Sequence, residues 1–178
     1  MIRKIFVITG LTLVLLACEK PLLPGQILAP DPLPVATDVT ATEIKRFIEA
    51  LPRDAVTDSA IRVVEVTGDY RIGVYGVYRP KDKASESNLH QVNTTEIYYM
   101  LAGSGTLVTG GEMISPKRAS PASITLKGAG IKGGVSRRVG PGDVVIIPGY
   151  TPHWWSELTD DLSYIIFRTD PDNRIELQ

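Results

Sequence analysis

The 178-residue chain contains one cysteine, two histidines and three phenylalanines. A single cysteine excludes an intramolecular disulfide framework, and no Cys cluster exists to hold zinc. With two histidines, any imidazole chemistry runs through His90 and His153. No charge of one sign predominates either: 19 Lys+Arg against 20 Asp+Glu leave a net charge of −1. That balance implies no basic face for phosphate-backbone contacts, so nucleic acid is not an expected partner. No GxSxG, Walker or dinucleotide fingerprint occurs, which leaves nucleophilic hydrolysis, phosphate cradling and nicotinamide chemistry without support. Turn-forming residues are plentiful. Sixteen glycines and 13 prolines punctuate the chain often and favour short strands over long helices.

The N-terminal residues read as an address. Arg3 and Lys4 form a charged start, and Ile5 to Ala17 is an uncharged apolar run. It is shorter than the ~20 apolar residues a membrane-spanning helix needs, so a secretory signal peptide over 1–17 is the expectation. Leu15-Leu16-Ala17-Cys18 resembles the lipobox of bacterial lipoproteins. That resemblance implies lipidation at Cys18 and a lipid anchor in the membrane. Residues 18–36 then form a tether rich in proline (Pro21, Pro24, Pro30, Pro32, Pro34). The implied location is the cell envelope, on the outer side of the cytoplasmic membrane or in the periplasm or outer membrane.

Thr40-Ala41-Thr42-Glu43 has the form of a capping box, followed by Ile44, Phe47, Ile48 and Leu51 at helical spacing. The spacing predicts one helix over 41–51, stopped by Pro52, within a lead-in segment 37–59. After it the period changes to two. Strands are expected over 61–66, 70–78, 90–101, 106–109 and 163–168, with 144–147 as a fully apolar buried strand. On the 70–79 strand, Ile72, Val74 and Tyr78 make the better core face, and the alternative face would turn Arg71 and Arg79 inward, where an arginine could take a carboxylate. Many short strands without alternating helices mean an all-β sandwich or barrel over 60–170, with a tail at 171–178.

Period-two geometry places His90, Val92, Thr94, Glu96, Tyr98 and Met100 on one face if the strand is unbroken. A histidine and a carboxylate on a face with apolar neighbours need partners there. Downstream, Gly142, Pro148 and His153 follow a turn, a strand and a stop.

These positions resemble the two motifs of the cupin superfamily. His90, Glu96 and Gly103 match the first motif, and Gly142, Pro148 and His153 match the second. Val92 stands where the first motif has a second histidine, Glu157 where the second motif often has asparagine, and Gly149-Tyr150 sets the small residue one place early. The resemblance implies a double-stranded β-helix, or jelly-roll barrel, whose mouth holds a divalent metal. It implies His90, Glu96 and His153 as ligands. Two imidazoles and one carboxylate are a coherent set for zinc, iron, manganese, nickel or copper, with positions left open for a ligand.

Tyr98, Met100 and Trp154 are candidates for the ligand pocket; core packing is the plainer role of each. The basic residues around Gly128 to Gly142 read as a solvated hairpin. The expected function is an envelope-anchored cupin that binds one divalent metal and a small organic molecule, with oxygenase, isomerase or lyase activity among the chemistries of this shape. The alternative is a non-catalytic binding or sensing module with a degenerate metal site, and a third reading is a scaffold that forms a homodimer.

Overall fold

Thr40 caps the N-terminus of the helix α1 (Ala41–Ala50), its side chain accepting a hydrogen bond from the Glu43 N–H; the Glu43 carboxylate accepts from Arg62 instead of closing a capping box, and Leu51 closes the last turn before Pro52. The computed structural model describes residues 35–66, 70–83, 85–118 and 120–174. The signal peptide, Cys18 and most of the tether therefore lie outside the described residues, as does the end of the 171–178 tail.

Among the described residues thirteen strands follow the helix. They are β1 (Thr57–Val66), β2 (Tyr70–Arg79), β3 (Ser87–His90), β4 (Thr95–Ala102), β5 (Gly105–Thr109), β6 (Glu112–Ile114), β7 (Lys117–Arg118), β8 (Thr125–Gly128), β9 (Gly130–Lys132), β10 (Val135–Val139), β11 (Val144–Ile147), β12 (His153–Leu158) and β13 (Leu162–Asp170). One sheet has the order β1-β2-β13-β4-β11, a second β10-β5-β12-β3-β8-β7, and β6 with β9 forms a small ribbon. Every pairing is antiparallel. The chain thus crosses repeatedly between two sheets, as a double-stranded β-helix requires. Val77, Tyr98, Met100, Leu107, Trp155, Tyr164 and Ile166 fill the space between them. The helix lies against the outside of the first sheet, where Ile48 and Leu51 pack on Tyr78.

Two sequence expectations are corrected. The 144–147 strand is not fully buried: Val145 and Ile147 are, but Val144 is 59% and Ile146 64% exposed. β11 is the edge of its antiparallel sheet, covered on one face only, so an unbroken apolar run there does not mean burial on both sides. On β2, the inward face is the one carrying Val77 and Arg79, while Tyr78 is buried on the opposite side under the helix. Both faces of β2 are covered, so alternation alone does not identify the one that looks into the barrel.

The motif glycine Gly103 has φ +77, and a side chain there would overlap the Asp161 carbonyl. In the second motif Gly149 sits against the backbone of Val92 and Asn93. The next residue, Tyr150, adopts φ 60, so a non-glycine residue takes the left-handed turn that leads into His153.

Candidate metal centre

The 90–101 segment is not one strand. β3 ends at His90 in the second sheet, residues 91–93 bend, and β4 carries Glu96 in the first. The bend keeps the inward alternation. Val92, Thr94, Glu96, Tyr98 and Met100 are all buried. His153 begins β12, beside β3, with His153 facing Asn88 in register. Two sheets therefore contribute to one site: the imidazoles come from the second and the carboxylate from the first.

The three side chains converge. His90 Nε2 lies 3.6 Å from Glu96 Oε1, His153 Nε2 lies 3.4 Å from Glu96 Oε2, and the three donor atoms fall within 4.8 Å of one another. Donors held about 2.1 Å from one ion are separated by roughly 3.0–3.4 Å at tetrahedral or octahedral angles, so the carboxylate distances are close to what an ion needs. The other ring nitrogens are already committed. His153 Nδ1 is 3.0 Å from the Thr151 carbonyl oxygen, and His90 Nδ1 is 2.9 Å from Thr125 Oγ1.

A carbonyl oxygen only accepts, so His153 Nδ1 carries the proton and the neutral ring turns an Nε2 lone pair towards Glu96. A lone pair facing a carboxylate oxygen at 3.4 Å is two acceptors in opposition. A shared cation relieves that opposition. The donor set thus fits a divalent ion, with the outward ring nitrogens tethered in the way that orients metal-binding histidines.

Electrostatics keep the site in its ligand form. Burial opposes ionisation of Glu96, but Arg168 and the two imidazoles outweigh it and hold the carboxyl down to about 2. Burial lowers both histidines, His90 to about 4, against the pull of Glu96. Protons therefore compete little with a metal for the imidazole nitrogens at neutral pH.

The same shifts set a pH dependence for the chelated protein. An unfolded His90 takes up its proton near 6.5, the folded one only near 4, so the unfolded chain holds more protons between those values. Stability is full above 6.5 and lost as the pH falls to about 4, by about 3 kcal/mol from His90 alone. Urea melts at pH 7, 5.5 and 4 should show this loss, and His90→Gln should remove the part that comes from His90, leaving that of His153.

Glu96 is held by Arg168, which the sequence did not single out, and by Tyr98, which it did. Arg168 Nε donates to Glu96 Oε1 at 2.8 Å, and its two terminal nitrogens donate to the Asp58 carboxylate at 3.2 and 2.6 Å. Arg168 faces Glu96 directly in the β13–β4 register, a relation of two positions 72 residues apart that no local pattern carries. Tyr98 donates its hydroxyl to Glu96 Oε2 at 3.2 Å, and burial raises its pKa well above the ordinary phenol value, so it remains a donor.

A cavity of about 490 Å³ opens over the site. His90, Glu96, His153 and Tyr98 line it together with Asp58, Arg79, Asn88, Thr125, Lys127 and Arg168. Two of the sequence candidates are absent from this wall. Met100 is packed in the core between the sheets. Trp154 is corrected as a cavity residue: on β12, His153 and Trp155 are the buried positions, so the intervening Trp154 turns to the other face. There its Nε1 donates to the Ser85 carbonyl at 2.8 Å and its ring lies against Gly130. It supports from behind the loop whose Ser85 and Glu86 form part of the wall. Val92 borders a smaller adjoining hollow with Tyr75, Thr94 and Ile124, and supplies no donor. Glu157 is exposed, away from the three donors.

The sequence model of the cupin family matches residues 71–178. No curated protein matches the chain. Among solved structures, the chain is similar to the DMSP lyase DddQ from Ruegeria pomeroyi DSS-3, at 16% identity and TM-score 0.46, over 84% of this chain and 83% of that one. It is similar to KdgF from Halomonas sp. at 15% identity and TM-score 0.43, over 66% and 82%. A third is an RmlC-like cupin with a double-stranded β-helix from Methanocaldococcus jannaschii, at 13% identity and TM-score 0.41, over 67% and 86%. The antiparallel double-stranded β-helix and the family match over residues 71–178 lead to one conclusion: the chain belongs to the cupin family.

Proposed function

We propose that this cupin holds one divalent cation on His90, Glu96 and His153 and uses it to bind a small organic molecule in the cavity above. One observation carries the reading. His153 Nε2 lies 3.4 Å from Glu96 Oε2 while its Nδ1 is committed to the Thr151 carbonyl oxygen, the arrangement in which a neutral ring turns a lone pair on the carboxylate. A bound cation supplies a Lewis acid with open positions. The protein's own part is to fix the donors: Thr125 and Thr151 orient the rings, and Arg168 and Tyr98 orient the carboxylate. Oxygenase, isomerase and lyase activity all fit such a centre, and the valine at position 92 favours the non-catalytic binding module as the alternative. Elemental analysis of the purified protein, after incubation with zinc, iron or manganese and removal of excess, should find about one metal per chain. A metal-free protein after each incubation would overturn the reading.

We also propose that the domain is tethered to the cell envelope through Cys18. Support comes from the charged start at Arg3 and Lys4, the uncharged run that follows, and the Leu15–Cys18 sequence. Buried acyl chains contribute ~0.8 kcal/mol per CH₂, enough to hold a protein on a membrane when two or more are attached. Cys18→Ser should move the protein from the membrane to the soluble fraction on ultracentrifugation. Continued retention would exclude this anchor.

A further inference from the structure

The cavity contains a guanidinium that the metal centre does not use. Arg79 ends β2 on the inward face, is 9% exposed, and lines the cavity beside His153 and Tyr98. Its Nε donates to the Tyr164 hydroxyl at 2.7 Å, which fixes the plane of the group. Among the described residues no carboxylate lies within ion-pair distance of it, and its two terminal nitrogens have no hydrogen-bond partner. The other arginine of the wall, Arg168, is consumed by Glu96 and Asp58. Arg79 is the contrasting case. A buried guanidinium without a counter-ion is costly, and a protein tolerates one where an anion from outside completes it. Its two terminal donors form a flat fork that matches the two oxygens of a carboxylate, which a lysine ammonium does not. Lys127 stands on the same wall, which also carries the acids Asp58, Glu86 and Glu96, the first and last of them already taken by Arg168.

We propose that Arg79 anchors a carboxylate, so that the small molecule taken by this cavity is an organic acid. The inference rests on the cavity's being the ligand site, as proposed above, and adds the chemical class of the ligand and the residue that selects it.

Calorimetry of the full-length protein in detergent tests it, with a panel of mono- and dicarboxylic acids of two to six carbons, each paired with its amide. At least one acid should bind about 10- to 100-fold more tightly than its amide, the range that hydrogen bonds to a charged group contribute. Arg79→Gln should abolish that preference with metal content unchanged, and Arg79→Lys should retain part of it. Equal binding of every acid and amide would overturn the inference, as would a preference intact in Arg79→Gln. Should both variants fail to fold, the wild type after chelation and Lys127→Gln decide. A preference that survives metal removal and persists in Lys127→Gln belongs to Arg79; one that vanishes with the metal belongs to the cation, one lost in Lys127→Gln belongs to the lysine, and either overturns the assignment. Metal content is measured separately. A metal-free protein that still prefers acids would leave the Arg79 site standing and overturn only the metal reading.

Discussion

Replacing His153 with alanine is expected to reduce bound metal from about one per chain to below a tenth after dialysis. His90 and Glu96 would remain as the only protein donors, and two donors hold a divalent ion poorly. The affinity should fall at least about 100-fold, because losing a group that merely orients a ligand already costs 10- to 100-fold. His153 is 4% exposed, so the fold of the variant needs its own check by circular dichroism. Met100→Leu is a suitable control. Met100 sits two positions past Tyr98 on the inward face of the same strand but packs in the core away from the donors, so this variant should keep its metal. Undiminished metal in His153→Ala would show that the ion sits elsewhere.

Arg168→Met should lower the stability of the metal-free protein by about 3–5 kcal/mol, the usual cost of leaving a buried partner charge uncompensated. Glu96 is 1% exposed, and Arg168 is its cationic neighbour as well as the partner of Asp58 and of the Tyr75 ring, 4.2 Å below the guanidinium. For a domain of this size, the midpoint of thermal unfolding should fall by roughly 10 °C. The pH dependence separates charge from packing. With Arg168 gone, the largest of the influences that hold the Glu96 carboxyl down is lost, and burial pushes it up from its native value. Protonating Glu96 then relieves the variant, so the gap to wild type narrows as the pH falls from 7 to 4. Saturating metal should narrow it too, since a cation replaces the missing charge. A gap that is constant across pH and metal would mean that Arg168 contributes packing alone.

Much of this architecture was legible locally. The Thr40 cap and the stripe Ile44, Phe47, Ile48 and Leu51 specify α1 because helix start signals and period lie within a dozen residues. The inward positions Glu96, Tyr98 and Met100 were legible as well, since side chains alternate across a strand whatever it pairs with, whereas Val92 and Thr94 keep that alternation through a bend the sequence pattern did not show. The motif positions of His90, Glu96 and His153 were legible only through family resemblance. Spacing does not say that imidazoles 63 positions apart share a pit.

Other features depend on what lies against a strand, which its own residues do not record. Val144 and Val145 are chemically the same, and only the face each occupies separates them: Val145 looks into the packed side of the sheet and Val144 onto the uncovered side. Arg79 and Tyr78 are neighbours on a strand covered on both sides, by the helix and by the opposite sheet, so neither alternation nor hydropathy names the face that looks into the cavity. Trp154 and Trp155 present the same ambiguity, resolved when His153 turns inward at the start of β12.

The amino-acid sequence alone determined the class of fold, the helix, the alternation of the strands and the residue types available for chemistry, because these follow from interactions between near neighbours in the chain. The tertiary structure decided which of those residues meet. The Glu96–Arg168–Asp58 chain joins positions 72 and 110 residues apart, and the unpaired fork of Arg79 is defined by the absence of a carboxylate in range among the described residues. Both depend on strand order and register, set by the packing of two whole sheets, and Coulomb and hydrogen-bond energies act on the distances that packing leaves.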